Sequence, residues 1–310
     1  NVDGANALTV TGNADIDDAI GATTALSSIS VSGTSNIGAN VKTTGNQTYT
    51  GDVTLSADAT LEGASIQTVG NVDGANALTV TGNADIDDAI GATTALSSIS
   101  VSGTSNIGAN ITTTGNQTYS DSVAVSSNST LKAGTGTIDL TDTTITSNKT
   151  LTLGDGSATT INMDKVDGAG SLTVNTTGAV TVADTVGATT NVTTITLTQA
   201  SNATFNAAVD ATTITLTDTA GTIDFQGAVT ATTLGTANQD YNVKMTGGGT
   251  ITNATTFSNT GDVTFNDNAA DTLTFTGGLT ATAPGQVILG GGNLVTTDTN
   301  MSLGDANADA

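Results

Sequence analysis

The sequence contains no cysteine, no histidine and no tryptophan, and its only basic side chains are five lysines. These gaps exclude disulfides, thiol chemistry, Cys/His zinc sites and every catalytic triad that uses an imidazole. Lys42, Lys132, Lys149, Lys165 and Lys244 stand alone, with no arginine beside them. Neutralising a phosphate backbone needs clustered Lys or Arg, so nucleic acid is excluded as a partner, and the same deficit argues against docking onto anionic lipid. No apolar run reaches the length of a membrane span, so no membrane insertion is expected, and the first residues show no charged segment followed by an apolar one. A chain without cysteine does not report its redox compartment.

Acid and repetition fill the space. Twenty-eight acidic residues set a formal charge of −23, which favours solubility, self-repulsion and weak attraction of divalent cations. Residues 1 to 49 recur at 71 to 119, changed only where Val41 and Lys42 become Ile111 and Thr112. A worn third copy follows, in which Val166-Asp-Gly-Ala-Gly-Ser-Leu-Thr-Val174 echoes residues 2 to 10 and Gly187-Ala-Thr-Thr190 echoes residues 21 to 24. The modules are 1–70 and 71–140, with the degenerate copy from about 164 to 235. Self-similarity at a fixed period marks a repeat architecture. Asn1 holds the same place in the repeat as Asn71, so the chain reads as an excerpt or mature piece of something longer.

Short segments alternate apolar residues with Thr or Ser: Leu8-Thr-Val10, Ile29-Ser-Val31, Val53-Thr-Leu55, Ile195-Thr-Leu197 and Val263-Thr-Phe265. Period two with β-branched partners is the pattern of a half-buried strand. Gly, Asn, Asp and Ser between them accept the backbone angles of tight corners. A helix over 14–28 would use Ile16, Ala19 and Ile20, but Gly21, Thr23 and Thr24 disfavour it. A finer period lies inside the long one. Thr193-Thr-Ile-Thr-Leu-Thr198 returns as 212–217, and Phe205-Asn-Ala-Ala-Val209 returns as 225–229 in the form Phe-Gln-Gly-Ala-Val. A turn of about 20 residues holding two or three short strands is what a parallel β-helix requires. The expected fold is therefore all-β, one continuous parallel β-helix or solenoid over 1–310, with about three turns per module and about fifteen in all, roughly 70 Å. A string of β-sandwiches is the competing architecture. Its core would need large side chains to fill ~10 Å between sheets, and five Phe with three Tyr are too few.

The segments 20–31 (Ile-Gly-Ala-Thr-Thr-Ala-Leu-Ser-Ser-Ile-Ser-Val), 43–61 (Thr-Thr-Gly-Asn-Gln-Thr-Tyr-Thr-Gly-Asp-Val-Thr-Leu-Ser-Ala-Asp-Ala-Thr-Leu) and 72–80 (Val-Asp-Gly-Ala-Asn-Ala-Leu-Thr-Val) carry a resemblance. The chain resembles large bacterial β-strand-repeat surface proteins, similar to filamentous haemagglutinin-type adhesins. The likeness covers residues 1 to 235 well and the remainder in style. It implies a right-handed β-helical fibre on the surface of a Gram-negative cell or secreted from it. Such repeats form the shaft, so the likeness speaks to architecture and leaves the ligand open.

Candidate sites are few. Asp15, Asp17 and Asp18, repeated as Asp85, Asp87 and Asp88, are the densest carboxylates and the candidate metal ligands. Oxygen ligands at near-alternate positions suit calcium, the one cofactor considered, and no cofactor is required. The competing and favoured reading is a solvated corner in which each Asp bonds its own backbone. The terminal Asp305-Ala-Asn-Ala-Asp309 opens like a calcium loop. Its counterpart after Leu151-Thr-Leu-Gly-Asp155 continues Gly-Ser-Ala-Thr and does not, so a corner is the better reading there. The Thr runs at 193–198 and 212–217 suggest an ice-binding array or, more simply, water-facing strand residues. Polysaccharide-cleaving enzymes also use parallel β-helices, but their chemistry needs opposed carboxylates and a charge stabiliser, and the chain has neither Arg nor His. Glycine triplets at 247–249 and 290–292 lack the Lys-Ser or Lys-Thr of a phosphate loop. Asn-x-Thr sequons such as those at Asn46, Asn116, Asn128, Asn148 and Asn202 arise readily in a chain rich in Asn and Thr.

The functional expectation is a non-catalytic shaft segment of a long extracellular adhesin or matrix filament at the cell surface. Its partners would be other copies of itself, neighbouring filaments, glycans or cell surfaces. The alternative is a self-assembling sheath or surface-layer subunit, with the β-helix enzyme and the ice-binding solenoid as minor alternatives.

Overall fold

In the computed structural model, which describes residues 1–304, every regular element is a short β-strand and there is no helix among the described residues. All described strand pairs are parallel, each strand bonding to the one about 20 residues further on. The expected β-solenoid is therefore the fold, with about 15 turns in all. The segment proposed and rejected as a helix holds the strand Ala14–Ile16 followed by irregular chain. Contacts divide the chain between Thr144 and Ile145 into two compact units, each a solenoid in its own right.

In the first unit, strand pairing sorts the rungs into three faces. One face stacks Leu8, Ile29, Gln47, Ile66 and Ala84. A second stacks Ala14, Ser35, Val53, Val72 and Ile90. A third stacks Val2, Ile20, Val41, Leu61 and Val80. Alternation explains the interior. In Ser28–Val31, Ile29 and Val31 point inward and Ser30 outward, and in Val53–Leu55 the valine and leucine are buried while Thr54 is exposed. Each Val, Leu or Ile so buried stabilises the coil by about 1.5–3 kcal/mol.

The expectation of about three turns per module is corrected. Moving on from Val2, the chain visits successive faces at Leu8, Ala14, Ile20, Ile29, Ser35, Val41, Gln47, Val53, Leu61, Ile66 and Val72, which is eleven steps. Three steps close a turn, so the module spans three and two-thirds turns. Val2 therefore lies on the third face and its copy Val72 on the second. Internal register is preserved all the same, since Leu8 pairs with Ile29 as Leu78 pairs with Ile99. Each copy of the module is the same local structure turned back by one face.

The second unit repeats the design with larger fillers. Ile161, Val180, Ala203, Ile223, Val243 and Val263 form one inward column. Leu151, Leu172, Ile195, Ile214 and Leu234 form another. All five Phe and all three Tyr of the protein are buried. Phe205 and Phe225, one turn apart, stack with ring centroids at 4.8 Å, the spacing that neighbouring strands impose. Phe257, Phe265 and Phe275 meet edge to face.

Candidate functional site: acidic corners and clamped loops

Strand alternation decides where the candidate carboxylates point. Asp15 sits at the middle of Ala14–Ile16 and faces out, accepting a hydrogen bond from Asn36 Nδ2 of the next rung at 2.8 Å. Asp85 does the same with Asn106 at 2.8 Å. Asp17 and Asp18 follow where the strand has ended and the chain is turning. Asp18 Oδ1 accepts from the N–H of Ala19, as Asp88 Oδ1 accepts from Ala89 and, in the worn copy, Asp184 Oδ1 from Thr185. Asp87 Oδ2 accepts from Gln67 Nε2 at 2.9 Å. The carboxylates of Asp15, Asp18, Asp85, Asp87 and Asp88 are thus directed to their own corner or a neighbour. Among the described residues no three or more acidic side chains are gathered into a group that could hold a metal ion. The module phase separates the two sets further, because Asp15 stands on the second face and Asp85 on the first. The acidic run 305–309 lies outside the described residues.

A different aspartate organises the corners. Asp3 Oδ1 accepts from the N–H groups of both Thr23 and Thr24, at 2.9 and 3.1 Å. Asp73 repeats this with Thr93 and Thr94 at 2.8 and 2.9 Å, and Asp167 with Thr189 and Thr190 at 2.9 and 3.3 Å. Each time the glycine that opens the loop adopts positive φ, 72° at Gly21, 70° at Gly91 and 76° at Gly187. Its N–H donates to the preceding valine carbonyl, that of Val2, Val72 or Val166, at 2.7 Å. A Cβ on Gly21 would collide with the carbonyl oxygen of Lys42. Only glycine combines that φ with that approach. The Ala-Thr-Thr tip that follows is solvent-exposed in all three copies.

The electrostatics follow from the bonding. The Asp3 carboxyl is held below its usual range by the N–H groups of Thr24 and Thr23. Burial opposes ionisation of Asp167, yet Lys165, at 2.6 Å, and the N–H groups of Thr189 and Thr190 outweigh it and bring its carboxyl down too. The arrangement fastens loops by charge-assisted hydrogen bonds.

The Thr runs fall into register on one face of the second unit. Ser171, Thr194, Thr213 and Thr233 form one outward row and Thr173, Thr196 and Thr215 a second, which ends at Gly235. The glycine triplets supply corners, with positive φ at Gly248, Gly249 and Gly292.

These features define a β-solenoid whose loops are clamped by repeated aspartates. No protein-family model, curated protein or solved structure matches the chain.

Proposed function

We propose that the chain is a structural shaft segment of a long extracellular filament of the adhesin or matrix type, and that it carries out no catalysis. One observation carries the reading: two nearly identical modules keep the same internal register while occupying different faces. Such a unit can be added repeatedly without redesign, and each addition lengthens the coil. Parallel ladders place backbone hydrogen bonds between successive rungs, so many bonds share a tension applied along the stack. Outward Ser, Thr, Asn and Asp keep the faces wet, and the acidic surface discourages uncontrolled side-by-side collapse. Partners would be neighbouring filaments, other copies of the chain, or glycans and cell surfaces.

Immunogold labelling of thin-sectioned cells with antibodies against the purified chain tests this. The expected result is label along fibres outside the envelope. Label confined to the cytoplasm would overturn the proposal.

A further inference from the structure

After residue 119 the two modules stop matching, and the outward residues Asp52 and Thr54 of the first become Ser122 and Ala124 of the second. These smaller side chains floor an open trough of about 490 Å³ on the first face, lined also by Ser65, Asn83, Asp85 and Asn106. The trough runs along the coil across five rungs, from Ser65 through Asn83, Thr104 and Ser122 to Thr144, about 19 Å at the strand spacing. Its side chains are carboxylate, amide, hydroxyl and methyl, with no cation. Two are fixed before any ligand arrives: Asp85 Oδ1 accepts from Asn106 Nδ2 at 2.8 Å, and Asn83 Oδ1 accepts from the Thr104 N–H at 3.0 Å.

We infer that this trough binds an uncharged, extended polysaccharide strand lying along the solenoid. Its length takes several sugar units, and polar groups recurring every ~4.8 Å offer a polyhydroxylated chain hydrogen bonds at intervals along its backbone. Asp85 and a net charge of −23 repel an anionic polymer. Acceptors already held in place lose little entropy on binding. The opening is produced where the modules diverge, since the first module puts Thr54 where the second has Ala124. This deepens the shaft reading by assigning one surface a partner class, and it is measured on the purified chain whatever the cellular location.

Isothermal titration of the full chain with cellohexaose and with N-acetylchitohexaose tests the inference. At least one is expected to bind, and Ala124→Thr, which installs the side chain of the first module, is expected to weaken that binding tenfold or more with Tm unchanged. The mirror variant Thr54→Ala leaves the affinity as it was, and polygalacturonate binds more weakly than the neutral sugars. Failure of both hexasaccharides to bind would overturn the inference. So would equal affinity in Ala124→Thr, or preference for the anionic polymer.

Discussion

The phenol of Tyr49 donates to the side-chain carbonyl of Gln47 at 2.9 Å inside the coil, where both residues have no accessible surface. Two residues apart on one strand, they share the inward side. Gln47 Nε2 in turn donates to the carbonyls of Val41 and Glu62 at 3.0 and 2.9 Å, and the Glu62 carbonyl also accepts the N–H of Thr43 at 2.8 Å. Gln117 and Tyr119 repeat the arrangement, the glutamine reaching the carbonyls of Ile111 and Lys132.

Gln47→Leu leaves the buried hydroxyl of Tyr49 without its acceptor and takes the side-chain hydrogen bond away from two strand carbonyls. A loss of about 2 kcal/mol is expected, since an orphaned buried group costs about 1–3 kcal/mol. Adding Tyr49→Phe to that variant removes one orphan and restores about 1 kcal/mol. Urea unfolding of the single and double variants checks both numbers. A double variant less stable than Gln47→Leu would contradict this account of the network.

Asp3 and Asp167 make stability depend on acid. Their folded-state carboxyls titrate below the unfolded value of about 3.9, so the unfolded chain binds more protons in acid. Their contribution is fully present above that value and disappears as pH falls through the lower, folded one. Tm should therefore hold steady from neutral pH to about 5 and fall below about 4. Asp167→Asn lowers Tm at pH 7 and flattens part of the acid decline. Calorimetry across that range is the measurement, and an acid limb unchanged in the variant would remove Asp167 from the explanation.

Ser35 and its copy Ser105 place hydroxyls inside the coil with no hydrogen-bond partner. Ser35 stacks between Ala14 and Val53, so alanine fits the column. Ser35→Ala is expected to stabilise by up to ~1 kcal/mol, because it removes an unsatisfied buried polar group. A rise in Tm reads this directly.

The fold was legible because its strands announce themselves. The 19-residue return of Thr-Thr-Ile-Thr-Leu-Thr is the pairing of Thr194 with Thr213 and of Ile195 with Ile214, and the return of Phe205 at Phe225 is the ring stack. The module phase was not legible, because three of the eleven steps are too short to show alternation: Ile20 makes only an isolated bridge, and Val41–Lys42 and Val72–Asp73 are two residues long. Counting visible strands therefore undercounts faces. The clamp left a usable signal that the acidic runs obscured. The worn third copy retains Val-Asp-Gly together with Gly-Ala-Thr-Thr, far apart in sequence, as a loop and its fastening would require. The trough had no such mark, since it arises from two outward side chains being small.

The eleven-step module also sets the grain at which such a gene can grow. If a duplicated stretch had to close whole turns, tandem copying would be restricted to multiples of about 20 residues. Here a copy begins on a different face from its parent and still finds its ladder, as Val72 does on Val53. A duplicated stretch therefore need not hold a whole number of turns to leave a gapless stack.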